Sequence, residues 1–150
     1  MKTELTETPF LKMALVTYLL LGITDTVHHV HAALRLDQPN AMHAAITGMI
    51  LVPIATSSVY FFKRNRSSVC LRIFVLIAII AILIPGFYHG GWNHLIKVLA
   101  YLRLDTPNTE TQLLFPKNNP DLWFYEITGI LEFVFAIVCL SAILRLFPAR

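Results

Sequence analysis

Charged side chains are scarce in this chain. Asp, Glu, Lys and Arg make up 14% of its 150 residues, against about 25% in soluble globular domains, and the shortage excludes both an ordinary water-soluble fold and a disordered one. Cysteine is nearly lacking too. Cys70 and Cys139 both fall in or beside apolar stretches, so neither a disulfide framework nor a thiolate metal motif can be built from them. A Gly-rich phosphate loop, a Ser or Cys nucleophile motif and a redox-spaced Cys pair are all missing, which argues against nucleotide-driven chemistry. The formal charge of +3, from 12 Lys+Arg against 9 Asp+Glu, forms no basic patch for nucleic acid. Instead the basic residues flank apolar runs, as membrane anchors do.

Hydrophobic residues, in contrast, make up 56% of the sequence. A bilayer core of ~30 Å needs about 20 apolar residues per helix, and four stretches qualify: 10–34, 41–62, 69–88 and 122–147. The third continues past Gly90-Gly91 as further helix to residue 102, straight or bent at Pro85-Gly86. No segment alternates as a barrel strand would, and lipid cannot satisfy an open backbone. The expected fold is all-α: an integral membrane four-helix bundle forming a single four-span domain over 1–150. The basic start and apolar 13–23 stretch fit a cleaved leader only loosely.

An internal duplication supports keeping the first span. Arg35-Leu36-Asp37-Gln38-Pro39-Asn40 recurs as Arg103-Leu104-Asp105-Thr106-Pro107-Asn108, identical at five of six positions. Ile46-Thr47-Gly48 then matches Ile127-Thr128-Gly129 once 13 extra loop residues are allowed in the second half. Two duplicated helical hairpins, 10–62 and 69–147, follow, related by an axis along the membrane normal. The proline-containing 106–120 connection is placed to cover one end of the bundle.

The six histidines are His28, His29, His31, His43, His89 and His94. Alternating topology brings all of them to one side, together with Asp25 and Glu126, and ionisable groups converging within spans mark a functional site. At 100° per residue Asp25 and His29 share a face one turn apart, where a carboxylate can ligate beside an imidazole or hold its ring N–H. His94 stands 140° around an α-helix from His89, so that pair shares one ion only if Gly90-Gly91 distorts the helix, and His31 and His94 are read as interfacial. The candidate metal ligands are therefore Asp25, His28, His29, His43, His89 and Glu126. Imidazole with carboxylate suits a transition metal, with Cu, Zn or Fe foremost. Glu132, near the middle of the fourth span, is either a relay for protons or cations or a protonated acid bonded to a neighbouring helix.

Three functions fit these residues. The first is a membrane protein with a His/carboxylate metal centre at its non-cytoplasmic face, acting as a metal-dependent oxidoreductase or metal-handling subunit. The second is a b-type haem cytochrome, with His28 or His29 facing His89 across the bundle. The third is a non-catalytic accessory subunit of a larger membrane complex. The expected partners are membrane lipid and other membrane subunits or a second copy of the chain, in a plasma or bacterial inner membrane.

Orientation follows from basic residues. Lys2, Lys12, Lys63, Arg64, Arg66, Arg72, Arg145 and Arg150 make eight on the side of the termini, against Arg35, Lys97, Arg103 and Lys117, four, on the other. Both termini are expected in the cytoplasm. In a cysteine-free background, single cysteines at Asn40 and Asn118 should react with an impermeant thiol reagent applied to intact cells, while one at Ser67 should not. Labelling in the reverse pattern would invert the topology.

Overall fold

Proline opens two of the four long helices. In the computed structural model, which describes residues 9–99 and 120–147, α1 spans Pro9–Arg35 and α4 spans Pro120–Leu146. Proline suits a first helical position because its missing N–H would have had no intrahelical acceptor there. Between them lie α2, Ala41–Asn65, and α3, Ser68–Ala81, which runs on without interruption into a π-helical segment, Ile82–Ile96. The four helices are long and apolar enough to cross a membrane, the third span counted as Ser68–Leu99. The described residues contain no strand. Residues 103–108, the second copy of the repeated hexapeptide, and most of the 106–120 connection lie outside the described residues.

The joints between helices are short. Asp37 turns the chain from α1 to α2 in the left-handed region at φ 54°, where a short polar side chain is tolerated. Arg66 does the same after α2, and its N–H bonds back to the Phe62 carbonyl at 2.9 Å. Such short connections force neighbouring helices to run antiparallel.

The helices form a ring in which α1 packs on α2 and α4, α2 packs on α3, and α4 packs on the π segment as fully as on α1. The third span thus leans on α2 at one end and on α4 at the other. At the α3 end the interior is mostly apolar: Leu11, Tyr18, Val59, Phe62, Phe74 and Ile143 are all buried with Ala14, Ala55 and Ala136, and the buried hydroxyls of Thr17 and Ser58 bond to carbonyls of their own helices. Tyr18 and Phe74 meet edge to face with ring centres 5.9 Å apart. Outside, Ile23, Leu76, Leu83, Ile84 and Leu144 are more than half exposed, an apolar perimeter that hydrocarbon can cover.

The third span departs from the expected straight or simply bent α-helix. Pro85 has no N–H to give and its ring conflicts with the carbonyl of the preceding turn, while Gly86, Gly90 and Gly91 contribute little helix propensity. The weakened α ladder yields to i→i+5 bonding, a rare register that recurs at functional sites. Packing on α4 holds it there. A Cβ on Gly86 would strike that of Ala136, and one on Gly90 would strike the Gly129 carbonyl and lie 2.8 Å from the Phe133 nitrogen. Small residues four apart let the two backbones touch, as packed membrane helices require.

Gly90→Ala should therefore destabilise the bundle by about 1–3 kcal/mol, the usual cost of overpacking. Titrated unfolding in mixed micelles measures this. A stability within 0.3 kcal/mol, roughly the error of such comparisons, would mean that the backbones are not in contact there.

Candidate metal centre

At the end of the bundle away from the apolar core, the polar side chains turn inward. α1 brings Asp25, His28 and His29, the π segment brings His89 and His94, and α4 brings Tyr125, Glu126, Thr128 and Glu132. The ring centres of His28 lie 5.1, 4.9 and 4.8 Å from those of His29, His89 and His94. His89 lies 4.8 Å from both His29 and His94. Tyr125 stacks on the remaining face of His28, with centres 4.1 Å apart and planes 24° from parallel.

Each imidazole faces an oxygen at the rim of this cluster. His94 Nδ1–H donates to Glu126 Oε2 at 2.8 Å, and Lys97 donates to the other oxygen of that carboxylate at 2.5 Å. His89 Nδ1–H donates to Glu132 Oε2 at 3.2 Å. His29 Nε2 stands 3.3 Å from Asp25 Oδ1. His28 Nδ1 is 2.9 Å from the Thr128 hydroxyl. That hydroxyl spends its own proton on the carbonyls of Phe124 and Tyr125, at 2.9 and 3.0 Å, so it accepts from His28 Nδ1–H.

These bonds assign the tautomers, since a neutral ring has one N–H and one lone pair. With Asp25, Glu126 and Glu132 ionised, Nε2 of His28, His89 and His94 and Nδ1 of His29 carry the lone pairs. Nε2 of His28 and of His94 are buried with no hydrogen-bond partner among the described residues. Oxygen on one ring nitrogen and a bare lone pair on the other is the arrangement of a metal-ligating histidine. Ligand atoms of His28, His29 and His89 all lie within 4.8 Å of one another and form a group that could hold a metal ion.

Of the residues expected from the sequence, Asp25, His28, His29 and His89 come together here, and Glu126 stands behind His94. His43, at the start of α2, is exposed and is not one of the three grouped histidines. α2 packs on α1 and α3, so the outer face of its first turn points away from the cluster. His31 lies outside the group, its Nε2 3.3 Å from Asp121, which also lies 3.6 Å from Arg35. His94 is the correction. Read as interfacial, it is 1% exposed and inside the cluster, because bonding i→i+5 brings residues five apart closer to one face. Gly90-Gly91 was the one sign of this in the sequence. Glu132, read separately as a mid-span acid, lies level with His28 and His89, 3.9 Å from His28 Nδ1.

Compared with known protein families, with curated proteins and with solved structures, the chain matches none.

Glu126 joins the π segment to α4 through two bonds while itself only 1% exposed. Glu126→Leu should cost about 3–5 kcal/mol of unfolding stability, as breaking a buried charged pair does. Glu126→Gln should cost less, because an amide oxygen still accepts from Lys97. Equal losses in the two variants would show that the negative charge, which both remove, is what matters there, and not the bond an amide oxygen keeps.

Proposed function

We propose that the four-histidine cluster binds a transition-metal ion, making the chain a membrane metalloprotein with its centre buried between three spans. The observation that carries this reading is the pair of buried, unpartnered lone pairs on His28 and His94 Nε2, each on a ring whose other nitrogen is held by oxygen. Leaving such atoms without a partner in a low-dielectric interior is costly, and a cation relieves several of them at once. His28, His29 and His89 are the ligands and leave a fourth position open, His94 packs beside them with its ring centre 4.8 Å from those of His28 and His89, and Asp25, Thr128, Glu132 and Glu126 orient the rings. Metal–imidazole bonds of about 2.0–2.1 Å put tetrahedral ligand nitrogens roughly 3.3 Å apart, so small side-chain rotations bring the observed group into coordination. Neutral imidazoles with carboxylates nearby suit Zn, Cu or Fe. Such an ion supplies Lewis acidity or a redox couple, consistent with a metal-dependent oxidoreductase or a metal-handling subunit.

Haem b fits less well. Rings already touching edge to face leave no gap for a macrocycle between any two of them. Duplicated hairpins remain part of the proposal. Gly48 lies against Asp25 and Thr26 of the preceding span, as Gly129 lies against His94, so each Thr-Gly pair abuts the histidine end of the helix before it.

Detergent-purified protein should contain one transition-metal ion per chain by elemental analysis and show no Soret band. His29→Ala with His89→Ala should lose the ion while the helical circular dichroism persists, and His43→Ala should keep it. Stoichiometric metal in the double variant would overturn the assignment, and a Soret band would favour haem.

A further inference from the structure

Resting on the metal reading, the structure points beyond the ion to what reaches it. A cavity of about 360 Å³ extends along α1 from His29 to Tyr18, eleven residues or roughly 16 Å at 1.5 Å per residue. Its walls differ from end to end. Asp25, His29 and His89 form one end, while Leu21, Leu51, Val52 and Ile80 line the remainder. Allowing ~30 Å³ for each water-sized group, the space takes about a dozen heavy atoms.

The helix arrangement explains why the cavity exists and where it opens. α2 packs on α3 but hardly meets the π segment, which leans on α4 instead. That divergence leaves a slot between α2 and the third span, with α1 as its back wall and the exposed side chains of Ile84, Tyr88 and Thr47 at its edges. In a membrane a slot between two spans, edged by exposed apolar side chains, faces lipid. Among the described residues no Lys or Arg lines it. The charge at its polar end is also closed: a divalent ion on neutral imidazoles is balanced by the Asp25 and Glu132 carboxylates. An anionic headgroup therefore meets Asp25 with nothing to offset it, whereas a hydroxyl can donate to Asp25 and offer its oxygen lone pair to the metal.

We infer that this slot is the binding site for a neutral, hydroxyl-bearing lipophile of about ten carbons, which enters from the bilayer and places its oxygen at the ion held by His29 and His89. The apolar tail lies along Leu21, Leu51 and Ile80, towards Tyr18. α2 thus contributes no ligand but forms the substrate wall.

The probe is 1-decanol, added to Co(II)-loaded protein in lipid nanodiscs, with decane and decanoate as comparisons. The visible ligand-field bands of the cobalt should change saturably with 1-decanol, at one molecule per chain. Decanoate should need at least tenfold higher concentration, and decane should leave the bands unchanged. Ala81→Phe and Ile84→Phe, each filling the slot away from the ion, should retain cobalt and lose the response. A loaded protein indifferent to 1-decanol, a response surviving in a folded slot variant, or decanoate binding as well as the alcohol would overturn this inference and leave the metal centre standing. Failure to take up cobalt or any other transition metal would overturn both.

Discussion

The change of hydrogen-bond register in the third span is the constraint on which the rest of the molecule depends. From Ile82 to Ile96 the helix bonds i→i+5, is wider than an α-helix and takes more residues per turn, which brings residues five apart closer to one face. His89 and His94 therefore point the same way, and both face His28. The same segment bares Gly86 and Gly90 to α4, so that two backbones meet. It also carries the span away from α2, which opens the slot beside the histidines. One local feature thus sets the ring geometry, the tightest helix contact and the access route. A π-helix is an unfavourable conformation by itself, and fifteen residues of it persist only because α4 packs against it and because Glu126 and Glu132 bond to its histidines.

The two ends of the bundle hold together by different physics. At the α3 end, large apolar side chains interlock around alanines, and within lipid this stabilises through packing, not through exclusion of water. At the other end polar contacts across helices join apolar ones such as Phe87 on Phe133. Burying four imidazoles and three carboxylates is tolerable only if each finds a partner, and the partners come from the neighbouring helix in most cases: Thr128 for His28, Glu132 for His89 and Glu126 for His94. Asp25 and His29 pair within one helix. The partners ring the cluster from outside, and the lone pairs consequently face inward. The same bonds that lower the cost of burial preorganise the site, and the apolar end supplies the rigidity against which they are held.

Much of this was legible in the chain itself. Four apolar stretches define four spans, because hydrocarbon thickness sets helix length and lipid excludes any open backbone. The apolar stretches 10–34, 41–62 and 122–147 agree to within three residues with the bounds of α1, α2 and α4. Alternation of direction carries the histidines to one end, and the α-helical period puts Asp25 beside His29, as observed. Each of these inferences uses only local periodicity or a one-dimensional length.

What the tertiary structure alone decided is which polar groups meet. His94 was placed off the face of His89 because an α-helical period was applied to a segment that does not keep it, and the register depends on α4, some forty residues further along. His43 shares the right end of the bundle but sits on a helix whose neighbours turn it outward. Glu132 was read by depth along its own helix, whereas its role comes from lying level with His28 and His89 across two interfaces. Periodicity fixes direction within a helix. The rotation and lean of one helix against another come from packing, and for this chain those two quantities determine the candidate site.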